Sequence, residues 1–533
     1  MSRPAAQSRQ PGQGEIQQII NLIGSGRLPQ AEDAARALVR ACPNALVAHN
    51  LLGVAFEQQG KFEQAATAYG NALAIDPNIA EIRFNLGVVL GNLGKAEEAA
   101  AQYRKAIARK PDLAVAHFNL GTLLQAQGKL AEAADCYRRA TQAEPRFVEA
   151  WGNLGAVLQQ QGWLDDAVAA YREALRMQPD AQLHFNLGTA LRTQGRLEAA
   201  VASFRDAIAL RPDYAQAHNN LGETLRDQGR MGDALQCYRT ALEIDPENAE
   251  ACYNMGEYLY FAGEFDQAVE YFERSPRWDS RDRALYCLYK AGRFDAFAER
   301  LEGALAGPHT SPLLATLTTH YATNFGVEDR YGFCRNPMDF VHHSRIDALA
   351  VPGSPLLADL MRDITHTEIA ERRQGRLYYG IQSAGNLLKR PEPSFQALAA
   401  AVREKIAEYR ARFADADCEL VRAFPERIEF SSSWYLKMQK GGHLTSHIHE
   451  EGWISGCVYL ALPNKNQGHA GSIEFSTHGD DYPQRHADFP SRIVDQAVGD
   501  IVLFPSSLFH RTIPFESDED RVCVAFDLKP ANA

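Results

Sequence analysis

Prolines recur along the first half of the chain at a nearly constant interval. The steps between them are 34, 34, 34, 34, 33 and 34 residues. The prolines that mark this interval are Pro43, Pro77, Pro111, Pro145, Pro179, Pro212 and Pro246. A unit of this length cannot bury its apolar side alone, so consecutive units must stack against one another. The period therefore predicts a solenoid for the first half of the chain.

Two glycines keep the same interval within each unit. One series is Gly53, Gly87, Gly121, Gly155, Gly188, Gly222 and Gly256, and the other is Gly60, Gly94, Gly128, Gly162, Gly195, Gly229 and Gly263. We expect the first series to let two helices approach closely and the second to end a helix in a left-handed conformation. The pattern resembles the tetratricopeptide repeat. This resemblance implies an all-α superhelix of helix pairs over residues 12–305, preceded by a disordered tail over 1–11.

An asparagine stands two residues before the first glycine in six of the units. The six are Asn85, Asn119, Asn153, Asn186, Asn220 and Asn254. In the resembled superhelices this position faces the concave groove, where an amide can both donate to and accept from an extended peptide backbone. The resemblance thus implies a protein or peptide partner in the groove. The alternative is that these amides satisfy hydrogen bonds between neighbouring repeats.

Composition narrows the classes of partner. The formal net charge is -12 and the lysines and arginines form no dense cluster, so we expect neither nucleic acid nor an anionic membrane as a partner. No apolar stretch approaches the roughly 18 to 20 residues of a membrane span. The nine cysteines include no C-x-x-C pair, as expected for a reduced, cytoplasmic protein.

The repeat pattern stops near residue 306, and the rest of the chain follows different patterns. We predict a linker and helical region over 306–369 and a helix over 393–414 within a β-rich domain over 370–533. Gly, Pro and Asp turns separate six predicted strands, which are IEFSSSWYLKM, HLTSHIH, WISGCVYLALP, GSIEFST, GDIVLFP and RVCVAFDL. Six short strands with such turns are typical of a double-sheet jelly roll.

Some polar residues of these segments are not needed by a structural sheet. His447 and His449 are two residues apart, so a strand places both on one face, whereas Glu450 points to the other. His510 follows 61 residues after His449, and Arg521 follows 11 residues after His510.

These residues resemble the site of an iron(II)- and 2-oxoglutarate-dependent oxygenase. GGHLTSHIH, the VYL of the next strand, FPSSLFH and the Arg521 strand stand in the order found in that family. The resemblance implies a double-stranded β-helix (a cupin-like jelly roll) with flanking helices, and it implies Fe(II), 2-oxoglutarate and O2. The implied metal ligands are His447, His449 and His510. The implied ligands of the far carboxylate of 2-oxoglutarate are Arg521 and Tyr459.

His449 departs from the family pattern, which usually has Asp or Glu at this position. Three neutral imidazoles still bind iron(II), although zinc or nickel also suits such a donor set. We expect the three rings to converge on one point, with nitrogen atoms about 3 to 4 Å apart.

The resemblance favours an enzyme that hydroxylates a protein side chain, with the solenoid recruiting the protein. A second interpretation is a three-histidine metal dioxygenase that does not use 2-oxoglutarate, and Arg521 argues against it. A third is a non-catalytic repeat scaffold whose β domain has lost its chemistry. Metal content and consumption of 2-oxoglutarate distinguish the three.

Overall fold

A computed structural model describes residues 9–366, 369, 371–372, 376–424, 428–450, 452–464 and 468–530. The first eight residues of the predicted tail over 1–11 lie outside this described part. The chain divides into two compact units, Met1–Ala251 and Cys252–Ala533. The four-part division predicted from the sequence stays a prediction.

The N-terminal unit consists of helices of nearly equal length. They are α1 Gln13–Gly24, α2 Leu28–Ala41, α3 Leu46–Glu57, α4 Phe62–Ile75, α5 Ala80–Asn92, α6 Ala96–Arg109, α7 Ala114–Ala126, α8 Leu130–Ala143, α9 Val148–Gln160, α10 Leu164–Met177, α11 Ala181–Thr193, α12 Leu197–Leu210, α13 Ala215–Asp227 and α14 Met231–Ile244, followed by α15 Ala249–Ala262, which contains the division between the units. The predicted repeat superhelix is thereby confirmed.

One repeat illustrates why this sequence forms helix pairs. A Cβ atom on Gly121 of α7 would lie 2.9 Å from the Tyr137 ring of α8, so only glycine allows this aromatic side chain to pack between the helices. Gly128 takes a φ of +73° directly after α7 and reverses the chain. His117 contacts the Pro111 carbonyl oxygen through Nε2 at 2.9 Å. These contacts recur along the solenoid because the sequence recurs.

Further helices of the C-terminal unit connect the repeats to the β domain and flank it. They are α16 Phe265–Arg274, α17 Ser280–Lys290, α18 Phe294–Leu305, α19 Pro312–Phe325, α20 Asp347–Ala350, α21 Pro355–His366, α22 Pro393–Arg412 and α23 Glu419–Arg422, with 3-10 turns at Pro337–Phe340 and Leu387–Lys389. The helix predicted over 393–414 is confirmed by α22. Nowhere in the described part of the chain is a helix both long and apolar enough to cross a bilayer.

Among the described residues, ten strands form two antiparallel sheets. They are β1 His342–Arg345, β2 Glu371–Arg372, β3 Leu377–Ser383, β4 Ile428–Leu444, β5 Ile454–Ala461, β6 Ile473–Ser476, β7 Ser491–Val494, β8 Asp500–Pro505, β9 Phe509–Thr512 and β10 Arg521–Pro530. The larger sheet has the order β1-β8-β5-β10-β4-β3-β2, and the smaller has the order β7-β6-β9. This β domain is consistent with the predicted jelly roll.

The two sheets share one hydrophobic core. Phe475 of β6 packs edge-on against Phe504 of β8 with ring centroids 4.9 Å apart. Leu436 of β4 and Cys523 of β10 belong to the same buried cluster. Beyond the end of β4, an isolated bridge joins His447 to His510 of β9 and links the two sheets at their rim.

Several strands differ from the sequence-based expectation. The strand predicted over 443–449 ends at Leu444, and His447 and His449 follow in an irregular segment. β1 lies within the segment 306–369 and pairs with β8 at the edge of the larger sheet. These elements are short or polar, so they carry little of the apolar alternation by which strands are recognised.

Candidate metal centre

Three histidines converge at the rim where the two sheets meet. His447 and His510 exchange backbone hydrogen bonds of 3.1 and 3.0 Å, while the backbone N–H of His449 donates to the Ser506 carbonyl oxygen at 3.0 Å. The potential ligand nitrogens all lie within 4.8 Å of one another. The ring centroids are 4.3 to 5.3 Å apart. This 4.8 Å bound is looser than the about 3 to 4 Å that a shared metal requires, so the expected spacing stays a prediction.

The Nδ1 atom of each histidine already has a partner. His447 contacts the Thr445 carbonyl oxygen at 2.7 Å and His510 the Leu508 carbonyl oxygen at 3.3 Å. His449 contacts Oδ1 of Asp527 at 2.5 Å. A carbonyl oxygen can only accept, so in the neutral rings of His447 and His510 Nδ1 carries the proton and Nε2 keeps its lone pair, while the Asp527 carboxylate accepts from Nδ1 of His449. Nε2 is therefore the ring nitrogen that remains available to a cation.

Electrostatics keep two of these rings neutral. Burial, reinforced by His449, lowers the pKa of His447 to about 3. Burial and the neighbouring His447 and His449 lower the pKa of His510 well below its ordinary value. A neutral imidazole is the form that binds a metal, because protonation would occupy its lone pair. At neutral pH these two rings therefore have the free lone pair that metal binding requires.

An inner cavity extends from the histidines into the core between the sheets. Its lining includes His447, His449, His510, Tyr459 and Arg521. The structure thus brings together the five side chains that the sequence singled out in this domain.

Arg521 is a buried cation in this inner cavity. Only 2% of its surface is exposed. Its Nε donates to the Gly471 carbonyl oxygen at 3.0 Å, one terminal nitrogen contacts the Cys523 sulfur at 3.3 Å, and its guanidinium lies 5.2 Å from the Tyr459 ring centroid. No carboxylate of the described residues forms an ion pair with it. A buried charge without a counter-charge is costly, so the cavity suits an anionic ligand.

Tyr459 presents a second polar group to the inner cavity. Its hydroxyl is buried, borders the weakly donating Cys457 thiol, and has no hydrogen-bond partner of good geometry among the described residues. A buried hydroxyl normally bonds to something. Together with Arg521 it fits a carboxylate, which accepts from both groups. The donor groups therefore fit iron(II) at the histidines and a carboxylate at Arg521 and Tyr459, but the inner cavity has a volume of only about 40 Å³ and must widen to admit 2-oxoglutarate.

A larger cavity of about 560 Å³, here called the polar cleft, also borders His447 and His449. Its lining includes Arg376, Gln382 and Trp434. Gln382 is 9% exposed, and among the described residues its Oε1 has no hydrogen-bond partner. The polar cleft thus holds a buried acceptor beside the histidines.

Sequence reasoning missed two residues of this region. Asp527 lies six residues after Arg521 on β10, so the alternation of a strand places both on one face, and that signal was available. Gln382 lies on β3, a strand that the sequence did not predict, and no signal pointed to it. Glu450, expected to face away from the histidines, also lines the polar cleft and lies 3.9 Å from Arg283.

The asparagine row lies on the first helix of successive repeats in the solenoid. Five members are half-buried, while Asn254 is buried. The Nδ2 atoms of Asn119 and Asn153 donate to the hydroxyls of Tyr103 and Tyr137 over long distances of 3.4 and 3.5 Å. Each tyrosine belongs to the preceding repeat, so these weak bonds connect neighbouring units. The other half-buried members of the row are Asn85, Asn186 and Asn220.

Comparison with protein families agrees with both parts of this description. Residues 432–527 match the family described as "Putative 2OG-Fe(II) oxygenase". Residues 21–252 match the C-terminal domain of cilia and flagella-associated protein 70, and residues 225–286 match the tetratricopeptide repeat. The family models thus find tetratricopeptide repeats in the first part of the chain and a C-terminal domain that matches the family described as "Putative 2OG-Fe(II) oxygenase". Iron(II), 2-oxoglutarate and O2 are the reactants implied by that family, and the three histidines are a possible iron site.

Solved structures similar to part of the chain cover the solenoid. YrrB, described as a TPR protein with an unusual peptide-binding site, is 24% identical over 35% of this chain and 96% of its own, with a TM-score of 0.34. PilF of Pseudomonas aeruginosa is 22% identical over 42% and 99%, with a TM-score of 0.34. MamA of Desulfovibrio magneticus RS-1 is 19% identical over 32% and 96%, with a TM-score of 0.30. No curated protein matches the chain.

Proposed function

We propose that this chain is an iron(II)- and 2-oxoglutarate-dependent oxygenase that hydroxylates a side chain of another protein, which the solenoid recruits. The observation that carries the proposal is the inner cavity, where three convergent imidazoles and an unpaired buried arginine line one space. Three histidines alone suit several metals and reactions. The unpaired charge of Arg521 requires an anion in the same cavity as the metal, and 2-oxoglutarate is such an anion.

Each residue of the inner cavity has a role in this proposal. His447, His449 and His510 hold iron(II) through Nε2. The guanidinium of Arg521 and the hydroxyl of Tyr459 hold the far carboxylate of 2-oxoglutarate. Iron(II) supplies the oxidising chemistry, in which O2 and 2-oxoglutarate convert a C–H group to C–OH with release of succinate and CO2. The apolar wall between the sheets excludes water from this reaction.

The polar cleft is the proposed entrance for the substrate side chain. It borders two of the three histidines and, at about 560 Å³, has room for an amino-acid side chain with its backbone. The unpartnered Oε1 of Gln382 offers an acceptor to a substrate N–H group. We propose that the asparagine row of the solenoid holds a more distant, extended part of the same protein.

Oxygen labelling tests protein hydroxylation directly. The full chain, loaded with iron(II), is incubated with 2-oxoglutarate, ¹⁸O₂ and a proteome extract from cells that lack this chain. We expect a small set of peptides to gain one ¹⁸O atom each, as measured by mass spectrometry, while a second ¹⁸O atom appears in succinate. The matched control is His510→Ala, which removes one proposed metal ligand and should give no labelled peptide.

Two results would contradict the proposal. Labelled succinate without any labelled peptide would exclude a protein substrate under these conditions and direct the search to small molecules. Labelled product without consumption of 2-oxoglutarate would favour the three-histidine dioxygenase instead.

A further inference from the structure

Asp527 is a buried carboxylate attached to the proposed metal centre through a histidine. It lies on β10 and is 8% exposed. Its Oδ1 accepts from Nδ1 of His449 at 2.5 Å and from the Ser455 hydroxyl at 2.7 Å, while its Oδ2 accepts from the Ser432 hydroxyl at 3.0 Å. Both oxygens are therefore fixed in position.

In the described part of the chain this carboxylate also acts electrostatically on the His447 ring. His449 is the one basic side chain that pairs with it there. A buried carboxyl group, with both oxygens hydrogen-bonded, is thus directed at one ring.

This carboxylate is bonded to His449, the residue at which the site departs from the pattern of the resembled family. The usual ligand set includes an acidic residue, which leaves a divalent metal with a net charge of about +1. His449 replaces that acid, so its ring contributes no negative charge to the metal. Asp527 returns one negative charge on the far side of the same ring. A histidine bonded to a carboxylate is also a stronger donor to a metal than a free histidine.

We infer that Asp527 is the positioning residue of this centre, which orients His449 and supplies through it the negative charge that a direct carboxylate ligand supplies elsewhere. The inference rests on the proposed function, because it requires a metal at the three histidines. It explains why a neutral ligand set can still hold a divalent cation next to the buried Arg521, whose own positive charge disfavours one.

Metal affinity measures this role without turnover. Asp527→Asn keeps the size of the side chain and an oxygen that can accept from Nδ1, but it removes the charge. We expect the affinity of the full chain for iron(II), and for cobalt(II) as a spectroscopic probe, to fall about 10- to 100-fold under anaerobic conditions. The cobalt(II) absorption spectrum should also change, because the donor strength of His449 changes.

Asp500 offers a matched control in the same unit. Its Oδ2 contacts Nε2 of His343 at 2.7 Å, and it is 4% exposed, so it is a buried carboxyl group that pairs with an exposed histidine away from the metal centre. Asp500→Asn should leave metal affinity and the cobalt(II) spectrum unchanged, even if the melting temperature falls. If Asp527 had only a structural role, Asp527→Asn would behave like Asp500→Asn, with unchanged metal affinity and an unchanged cobalt(II) spectrum.

A reciprocal pair of substitutions gives a second test. His449→Asp alone places two carboxylates together, which raises the proton affinity of the pair, so a shared proton competes with the metal and should weaken metal binding. The double variant His449→Asp with Asp527→Asn has one carboxylate, now able to bind the metal directly, and should recover at least tenfold in affinity over His449→Asp. Should Asp527→Asn fail to fold, Ser455→Ala, which removes one bond to Oδ1, should still weaken metal affinity several-fold.

The outcomes separate the inference from the proposed function. Unchanged metal affinity in Asp527→Asn, with a wild-type protein that binds the metal, would reject the inference alone. A folded wild-type protein that binds neither iron(II) nor cobalt(II) would reject the proposed function and the inference together.

Discussion

Arg521 combines complete burial with the absence of a carboxylate partner among the described residues, which is a costly state for a guanidinium group. The contact with the Cys523 sulfur compensates for this in part. A hydrogen bond from Cys457, together with the Arg521 charge, lowers the pKa of the Cys523 thiol to about 7. A thiol is nevertheless a poor substitute for a carboxylate. The proposed 2-oxoglutarate provides the missing counter-charge.

The first prediction concerns this arginine. Arg521→Ala should raise the 2-oxoglutarate concentration needed for half-maximal succinate formation by one to two orders of magnitude, as expected for a charge-assisted pair worth about 1.5 to 3 kcal/mol. Iron binding should persist. Arg511→Ala is the control, because Arg511 is exposed and pairs with Glu474. An unchanged requirement for 2-oxoglutarate would contradict the assignment.

At the residue scale, the sequence predicts those side chains whose spacing follows a known chemical pattern. His447, His449, His510 and Arg521 are found by spacing and by resemblance to a family. Asp527 acts through a hydrogen bond to another side chain, and such a bond depends on the pairing of β10 with β4 and β5, which the sequence does not reveal. Strand alternation from Arg521 would have placed it on the correct face without identifying its partner.

At the scale of elements, α19 supports the loops around the metal centre. Thr316 donates to the Ser507 carbonyl oxygen at 2.6 Å, three residues before His510. His320, four residues further along α19, is fully buried. It accepts from the Tyr289 hydroxyl at 2.6 Å and contacts Nδ1 of His478 at 2.8 Å. α19 therefore contacts two loops of the β domain, one that contains Ser507 and one that contains His478.

The second prediction concerns the pH dependence of stability. Burial, with contributions from His478, His486 and Lys290, lowers the pKa of His320 to about 3. In the unfolded chain this histidine binds a proton below about pH 6.5, whereas in the folded chain it does so only near pH 3. Its contribution to the stability of the fold is therefore fully present above about pH 6.5 and is lost as the pH falls from about 6.5 toward 3. One such group contributes up to about 1.4 kcal/mol per pH unit.

Urea unfolding of the full chain between pH 6.5 and 4 measures this contribution. In His320→Gln the unfolding free energy should fall less steeply as the pH falls. The change in slope corresponds to at most one fewer proton taken up on unfolding. His366→Gln, at the exposed end of α21, is the control and should keep the wild-type slope. Equal slopes for wild type and His320→Gln would contradict the prediction.

The elements that the sequence predicts are those with strong periodic patterns. The solenoid helices follow from the 34-residue period, and α22 follows from apolar spacing over 20 residues. β1 and β9, of four residues each, are too short to show alternation, and the polar β1 is defined by its pairing with β8. Tertiary pairing decides such strands, so local patterns miss them.

At the scale of the whole molecule, the solenoid accounts for the larger part of the chain and repeats one amide along its helices. The third prediction is that Asn119, Asn153, Asn186 and Asn220, changed to Ala together, weaken turnover of the protein substrate tenfold or more. Each lost hydrogen bond contributes about 0.5 to 1.5 kcal/mol. Consumption of 2-oxoglutarate without substrate should barely change, since it requires only the inner cavity.

A pair of tyrosine variants separates substrate binding from structural support. Tyr103→Phe with Tyr137→Phe removes the hydroxyls that Asn119 and Asn153 contact but keeps the amides. Substrate turnover should then stay at the wild-type level. A lower melting temperature in the asparagine variant, with substrate affinity unchanged, would instead show that the amides connect neighbouring repeats.

The most direct test of the account is the O2-dependent conversion of 2-oxoglutarate to succinate by the full chain, measured together with its metal content after anaerobic purification. We expect bound iron and succinate formation in the wild type, and neither above background in a folded His510→Ala variant. Bound iron without consumption of 2-oxoglutarate would contradict the account and favour a three-histidine dioxygenase. A protein that retains no metal and forms no succinate would leave the chain a repeat scaffold.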